Sequence, residues 1–213
     1  MKPRLLLLTL LALLPLVACA SPTQPVEGED YDVIPGGKPF APLTGKQKVE
    51  VAEVFGYVCI HCAHFEPVLE AWEKKQPASV RVTPVPAAFG GYWIPYAKAY
   101  YAAQQMGVLK QSHAAMFRAL HDTGELPIQN AGDEEIGRFY AQYGVDPAKF
   151  AATMESPRVT QQLQHAREFG MASGITGTPT LVVNGRYRIK VASPDDVLKV
   201  ADYLIQRELA AAK

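Results

Sequence analysis

The fold of this 213-residue chain is decided by one stretch, Val54-Phe55-Gly56-Tyr57-Val58-Cys59-Ile60-His61-Cys62-Ala63-His64-Phe65. Just before it, residues 49–54 alternate and are rich in β-branched side chains, which predicts a half-buried strand. After the cysteines, Phe65, Leu69 and Trp72 recur at helical spacing. Cys59 is therefore expected where a helix begins.

The position of Cys59 predicts its chemistry. The first turn of a helix presents unpaired backbone N–H groups and the positive end of the macrodipole, so it stabilises a thiolate over a thiol. His61 can add a charge or a hydrogen bond, and the thiolate is the nucleophile in disulfide exchange. We expect Cys59 to be the attacking sulfur and Cys62, one turn further into the helix and more buried, to be the resolving sulfur.

Two other interpretations of the cysteine pair stay open. A structural disulfide is one, but a ring of about four residues would stabilise the fold by only roughly 2 kcal/mol. A metal site is the other, because Cys59, His61, Cys62 and His64 are all soft or borderline ligands. A single helical turn cannot easily bring these groups into a closed shell, so we expect no metal.

The chain opens as an export signal. A short basic start is followed by an apolar run over residues 5–14 that is too short to span a membrane as a mature helix. The signal is expected to cover residues 1–20. Leu16-Val17-Ala18-Cys19 resembles a bacterial lipobox, whereas Ala18-Cys19-Ala20 fits the small-x-small cleavage rule.

Either ending of the signal removes Cys19 from the redox chemistry. The favoured lipobox interpretation makes Cys19 a lipidated first residue that tethers the protein to the periplasmic face of a membrane. The alternative discards Cys19 with the signal. Both place the mature chain in the periplasm of a Gram-negative bacterium, with Cys59 and Cys62 as its one usable pair.

Composition excludes little else. Lys and Arg together balance Asp and Glu at 21 each, so no basic excess indicates a nucleic-acid partner. No Gly-rich nucleotide fingerprint follows a strand. The pattern along the chain predicts a Pro- and Gly-rich arm with a β-like patch at 31–34, a strand at 79–85, about 75 residues of helices from Ile94, a β-hairpin around Asn184-Gly185, and a last helix opening at Ser193.

Three features together resemble the DsbA family of periplasmic dithiol oxidases, over residues 45 to 209. They are Cys59-Ile60-His61-Cys62 after a strand, a helical insertion, and Gly177-Thr178-Pro179-Thr180 before a β-hairpin. The resemblance implies an α/β thioredoxin fold, a central mixed sheet flanked by helices, interrupted by an inserted all-helical domain. The expected parts are the signal (1–20), an extended tether or arm (21–44), the thioredoxin-like domain (45–93 and 172–213) and the insertion (94–171).

The same resemblance implies roles for individual residues. Thr178-Pro179 is similar to the family's cis-proline loop, which faces the cysteine pair and offers backbone groups to a substrate. Glu53 is similar to the family's buried acid, a proton acceptor for Cys62, although a surface-facing strand residue is the alternative. His61 matches the histidine that stabilises the nucleophile's thiolate.

Two positions depart from the family pattern, and four histidines have no assigned role. Ile60 stands where the best-known members carry proline, which leaves the redox potential open. Pro84 stands where some members carry a lysine paired with the buried acid. The histidines at 64, 113, 121 and 165 are interpreted as helix-surface residues.

The function implied is donation of the Cys59–Cys62 disulfide to reduced exported proteins. A quinone-linked inner-membrane protein of the DsbB type is the implied reoxidant, and no cofactor beyond the redox-active disulfide is expected. We expect a monomer with no nucleic-acid partner, touching the membrane only through a lipid anchor. The alternatives are a disulfide isomerase or reductase on the same fold, or a periplasmic module that binds metal or unfolded chains.

Overall fold

The computed structural model describes residues 24–212. The export signal and Cys19 lie outside this range, so signal cleavage and lipidation stay predictions. The elements are β1 (Tyr31–Val33), β2 (Val49–Phe55), α1 (Ile60–Glu73), β3 (Val80–Pro86), α2 (Trp93–Gln105), α3 (Leu109–His121), α4 (Asp133–Tyr140), a 3₁₀ turn (Ala141–Tyr143), α5 (Pro147–Met154), α6 (Pro157–Ala172), β4 (Thr180–Val183), β5 (Tyr187–Ile189) and α7 (Pro194–Ala211).

The five strands form one mixed sheet in the order β1-β5-β4-β2-β3. β2 and β3 are parallel and are connected through α1, whereas β2–β4, β4–β5 and β5–β1 are antiparallel. The predicted hairpin is present between β4 and β5. Its two central residues, Asn184 and Gly185, have φ values of 50° and 65°, as a type I′ turn requires.

Strand β2 is buried along its whole length, so the prediction of a half-buried strand is wrong. Val49 and Val51 pack with α1 and α7 on one face. Ala52 and Val54 pack against the inserted helices on the other. A strand covered by helices on both faces loses its polar side, and the two acidic residues within β2 are consequently buried.

The inserted helices α2 to α6 lie between β3 and β4 in the chain, where the sequence predicts them. Their aromatic and aliphatic side chains join the residues of β2 in one continuous core, which runs from Val54 and Phe55 to Met116, Tyr140 and Phe150. The fold is the predicted thioredoxin-like sheet with a helical insertion. The domain boundaries at 93/94 and 171/172 stay a proposal, because this core crosses them.

The described part of the 21–44 arm packs on the sheet. β1 pairs with the edge strand β5, which is the edge contact suggested by the sequence at Tyr31–Ile34. Further along, the backbone N–H groups of Phe40 and Ala41 donate to the carboxylate of Glu50, at 2.5 and 3.2 Å. This accounts for one of the two buried acids of β2, which Arg81 also pairs at 2.6 Å.

Within residues 24–212, none of the helices combines the length and the apolar character that a membrane span needs.

Candidate active site

Cys59 occupies the N-cap of α1, as predicted. Its backbone is extended (φ −93°, ψ 113°), and its carbonyl accepts a hydrogen bond from the N–H of Ala63 at 3.1 Å. Cys59 and Cys62 are both free thiols, the first half-buried and the second fully buried. The accessible sulfur of Cys59 therefore lies at the start of α1, after strand β2. The first turn of the helix places the buried sulfur of Cys62 beneath it.

The two thiols have pKa values shifted in opposite directions. The pKa of Cys59 is lowered to about 5, against the opposing effect of burial. The largest contribution is a hydrogen bond from the Cys62 thiol. Further hydrogen bonds come from the Thr178 side chain and from the backbone N–H groups of Cys62 and His61. Burial, and then the neighbouring Cys59 sulfur, raise the pKa of Cys62 far above its usual range. At neutral pH the reduced pair is one thiolate and one thiol.

The contribution of His61 differs from the expected one. Its side chain is exposed, and the interactions that lower the pKa of Cys59 include its backbone N–H. The imidazole lines a groove next to the cysteines instead. His64 lines the same groove, one helical turn further on.

The Thr178–Pro179 peptide bond is cis, and this loop faces the cysteine pair. The carbonyl oxygen of Thr178 lies 3.4 Å from the Sγ atom of Cys59. Next to the loop is an open groove of about 720 Å³. Its walls come from the start of α1, from residues 176–181, and from residues 188–197 of β5 and the segment after it, so an extended peptide in it would lie against the Thr178–Pro179 loop.

Glu53 is a buried residue of the central strand, which contradicts the surface-facing alternative. It pairs in register with Leu181 on one side and with Pro84 on the other. Its Oε2 atom has no hydrogen-bond partner within the described chain. Burial, and then the negative charges of Glu66 and Glu73, raise the pKa of Glu53 well above its ordinary value. Glu53 is therefore a buried acid at the centre of the sheet whose surroundings favour its protonated form.

Sequence reasoning missed the aromatic support of the loop that precedes Cys59. The ring of Trp93 lies directly on Gly56, where a Cβ atom would overlap it. Phe89 and Tyr92 surround this ring, with centroids 5.0 and 6.0 Å away, and both are exposed. In the sequence, the signals for this contact are the glycine at position 56 and the aromatic residues Phe89, Tyr92 and Trp93.

The prediction that His113 and His121 are surface residues is wrong. The Nδ1 atom of His113 lies 2.6 Å from the hydroxyl of Tyr57, and its Nε2 atom is buried. The Nε2 of His121 donates to the carbonyl of Tyr57 at 2.7 Å. His113 shares the buried face of α3 with Met116, Phe117 and Leu120. Helical spacing from these apolar residues could have placed His113 inside.

The remaining histidine, His165, contacts the 21–44 arm. His165 is exposed and stacks on Phe40, with Nε2 donating to the Phe40 carbonyl at 2.8 Å. Across residues 24–212, the His, Cys, Asp and Glu side chains form no group of three or more that could hold a metal ion.

A thioredoxin-type sheet, a Cys-x-x-Cys pair at the start of a helix and a cis-proline loop facing it define the class of thioredoxin-like dithiol proteins. The family model of the DSBA-like thioredoxin domain matches residues 50–204. The chain belongs to this family.

Individual relatives agree with this assignment. The thiol:disulfide interchange protein DsbA of Pseudomonas aeruginosa is 41% identical over 175 residues, covering 81% of this chain and 82% of that protein. The protein of the same name from Azotobacter vinelandii is 37% identical over 194 residues, covering 90% and 88%. The crystal structure of oxidoreductase DsbA from Xylella fastidiosa is 52% identical, with a TM-score of 0.85, and covers 88% of this chain and 100% of that one.

Proposed function

We propose that this chain is a periplasmic thiol:disulfide oxidoreductase that donates its Cys59–Cys62 disulfide to reduced exported proteins. The observation that carries the proposal is the opposite pKa shift of two sulfurs one helical turn apart. A stabilised Cys59 thiolate favours the reduced form of the protein, so the oxidised form readily gives its disulfide away. The names of its relatives, thiol:disulfide interchange proteins, support the same activity.

The reaction runs through a mixed disulfide. A substrate thiolate attacks the Sγ atom of Cys59, the Cys59–Cys62 bond breaks, and the Cys62 sulfur leaves with the bonding electron pair and takes up a proton. A second substrate thiolate then attacks the substrate sulfur of the mixed disulfide. Cys59 leaves as the thiolate that its environment stabilises, so two electrons pass to this protein and the substrate gains a disulfide.

The groove next to Pro179 is the proposed substrate site. It is open, its lining combines apolar residues with basic ones such as Arg188 and Lys190, and the Thr178 carbonyl lies 3.4 Å from the Sγ atom of Cys59. An extended, unfolded segment can hydrogen-bond to such a backbone edge with little demand on its sequence. This suits a catalyst that acts on many exported proteins.

Glu53 is proposed to exchange the proton of Cys62. Burial raises the pKa of this acid well above its ordinary value, which favours its protonated form, so it can hand a proton to a leaving Cys62 thiolate and accept one back when Cys62 attacks. Because Pro84 occupies the facing position on β3, no lysine from that strand shares this role.

Reoxidation and location complete the proposal. Returning the pair to a disulfide requires an external oxidant, and the family resemblance supports a quinone-linked inner-membrane protein of the DsbB type. The proposed protein acts as a monomer in the periplasm, exported by residues 1–20 and held at the membrane if Cys19 is lipidated.

The test is the oxidation of a reduced, unfolded protein that normally contains disulfides. The oxidised chain should introduce one disulfide into the substrate for each Cys59–Cys62 disulfide that it loses. Cys59→Ala should be inactive. Cys62→Ala, prepared with Cys59 in a mixed disulfide with a small thiol, should transfer only one thiol equivalent to the substrate. Activity of Cys59→Ala would refute the assignment of the nucleophile. Faster reaction with a scrambled substrate than with a reduced one would favour the isomerase alternative.

A further inference from the structure

The loop that carries Thr178 and Pro179 is short and is held from its two ends. It follows the last residues of α6 and leads into β4, which pairs with β2 from Thr180 onward. Within residues 24–212, the backbone N–H groups of residues 176–178 donate to no other backbone carbonyl. The position of the loop facing Cys59 therefore depends on what fixes the end of α6.

Helix α6 ends in a Schellman motif. The N–H of Ile175 donates to the carbonyl of Gly170 at 2.9 Å, and the N–H of Gly174 donates to the carbonyl of Met171 at 3.0 Å. Gly174 has a φ of 63°, as the residue after the helix requires in this motif. The next two carbonyls, those of Ser173 and Gly174, accept no backbone N–H within the described chain.

Arg188 of β5 donates to both of these carbonyls. Its Nη1 atom lies 3.2 Å from the carbonyl oxygen of Ser173 and also contacts that of Gly174. The guanidinium lies directly on Gly174, where a Cβ atom would overlap it. A cation at this place also faces the negative end of the α6 dipole. Arg188 thus closes the end of α6, and Gly174 lies four residues before Thr178.

Asp32 of the arm holds Arg188 from the other side. The Oδ2 atom of Asp32 lies 2.6 Å from the Nη2 atom of Arg188, and the two side chains are 31% and 28% exposed. The planar guanidinium can donate to a carboxylate and to backbone carbonyls at the same time, which a lysine ammonium does less well. Asp32 and Arg188 together therefore link strand β1 to the segment that leads into the Thr178–Pro179 loop.

We propose that Arg188, anchored by Asp32, is a positioning residue that fixes the Thr178–Pro179 loop for an extended substrate segment. The inference rests on the proposed dithiol oxidase function. Such a segment would pair with the backbone of the loop, so that its cysteine faces the Sγ atom of Cys59. A loop that is not fixed in advance has to be ordered when the substrate binds, which costs affinity. Arg188 therefore acts on substrate binding more than on the chemistry of the sulfurs.

Lys190 provides a matched comparison within the same strand region. It lines the same groove as Arg188 and also pairs with Asp32, at 3.2 Å. Its Nζ atom donates to the carbonyl of Gly28 in the arm, at 2.6 Å, and not to the end of α6. Lys190→Gln consequently removes the same charge from the same groove and from the same carboxylate, but leaves the contact between Arg188 and α6 in place.

The experiment compares two reductants of the oxidised chain. One is an unfolded peptide with two cysteines flanked by uncharged residues, and the other is dithiothreitol, a neutral dithiol too small to pair with the loop. Loss of the Cys59–Cys62 disulfide is followed by acid quenching, alkylation and mass spectrometry over a range of reductant concentrations.

The expected change is in KM for the peptide. Arg188→Gln and Arg188→Lys should raise the peptide concentration that gives half the limiting rate about fivefold, the equivalent of about one hydrogen bond, and leave the limiting rate within about twofold. The rates with dithiothreitol should stay within about twofold, as should both rates of Lys190→Gln. Far-UV circular dichroism confirms the fold of every variant. If Arg188→Gln does not fold, Arg188→Lys, which keeps the charge beside Asp32, decides alone.

The outcomes are distinct from those that would refute the oxidase function. The positioning role is refuted if Arg188→Lys keeps the KM of the unmodified chain, because charge alone would then be sufficient. It is also refuted if Lys190→Gln raises KM as much as Arg188→Gln does, or if the reaction with dithiothreitol is slowed as much as that with the peptide. Failure of the unmodified chain to oxidise the peptide at all would refute the proposed function instead.

Discussion

At the scale of single residues, one helical turn separates two sulfurs with opposite properties. Cys59 at the N-cap is reached by backbone N–H groups and by the Cys62 thiol, whereas Cys62 is fully buried. The sequence predicts this difference, because a helix start is visible in the spacing of Phe65, Leu69 and Trp72. The sequence does not predict that Cys62 lowers the pKa of Cys59 more than His61 does, because that depends on side-chain directions in the folded loop.

The first prediction concerns this order of contributions. Cys62→Ala removes the hydrogen bond that lowers the pKa of Cys59 most, so we expect that pKa to rise by about one unit, the equivalent of one hydrogen bond to a charged group. His61→Ala keeps its backbone N–H and should raise it by less. Thiolate absorbance against pH measures both, and a larger rise in His61→Ala would show that the imidazole dominates.

The second prediction concerns Glu53. Its pKa is raised on folding, so between its ordinary value and its folded value the folded state binds more protons than the unfolded state, and stability falls as pH rises through that window. Glu53→Gln removes this dependence. The free energy of unfolding of the variant, relative to the unmodified chain, should therefore rise between pH 5 and pH 7. Urea unfolding at both pH values measures it. An unchanged difference would mean that Glu53 titrates normally.

At the scale of elements, the caps and turns could be read from sequence, but the burial of whole faces could not. The last helix begins where Ser193-Pro194 predicts it, and Ser193 accepts from the N–H of Asp196. The alternation in β2 suggests a polar face, yet helices cover both faces of the strand and bury Glu50 and Glu53. Which distant segment packs on a strand is set by tertiary contacts, which a local pattern does not contain.

The third prediction tests the aromatic support of the active-site loop. Gly56→Ala places a methyl group in the ring of Trp93, so we expect a loss of about 1 to 3 kcal/mol in the free energy of unfolding. Gly170→Ala is the matched control, because a Cβ there meets nothing within 4 Å and α6 gains a better helix former. It should be neutral or stabilising by up to about 1 kcal/mol. Equal effects of the two substitutions on the free energy of unfolding would show that the ring of Trp93 moves aside at little cost in stability.

At the scale of the whole molecule, the redox state and the stability of the fold are linked. The Cys59 thiolate exists only in the reduced protein, and its pKa is lower in the folded than in the unfolded chain. This stabilises the reduced fold fully above the unfolded pKa of about 8.5, and the stabilisation is lost as pH falls through about 5. The sequence predicts the direction, whereas the size depends on the folded surroundings of Cys59.

The fourth prediction is the pH dependence that follows. The stability of the reduced protein relative to the oxidised protein should fall by roughly 1 to 2 kcal/mol between pH 7 and pH 5, a value reduced for the solvent that reaches the half-buried Cys59. Urea unfolding of both redox forms at the two pH values measures this change. A relative stability that is the same at pH 5 and pH 7 would mean that no thiolate is stabilised by the fold.

The measurement that tests the central claim most directly is the Cys59–Cys62 redox equilibrium in glutathione buffers. The pKa of Cys59, about 5, is some two units lower than the value of about 7 for thioredoxin, and each unit raises the potential by about 30 mV. From the thioredoxin potential of about −270 mV, this predicts about −210 mV or higher, a more oxidising potential than that of thioredoxin. A potential at or below about −270 mV would make the protein a reductase and contradict the account.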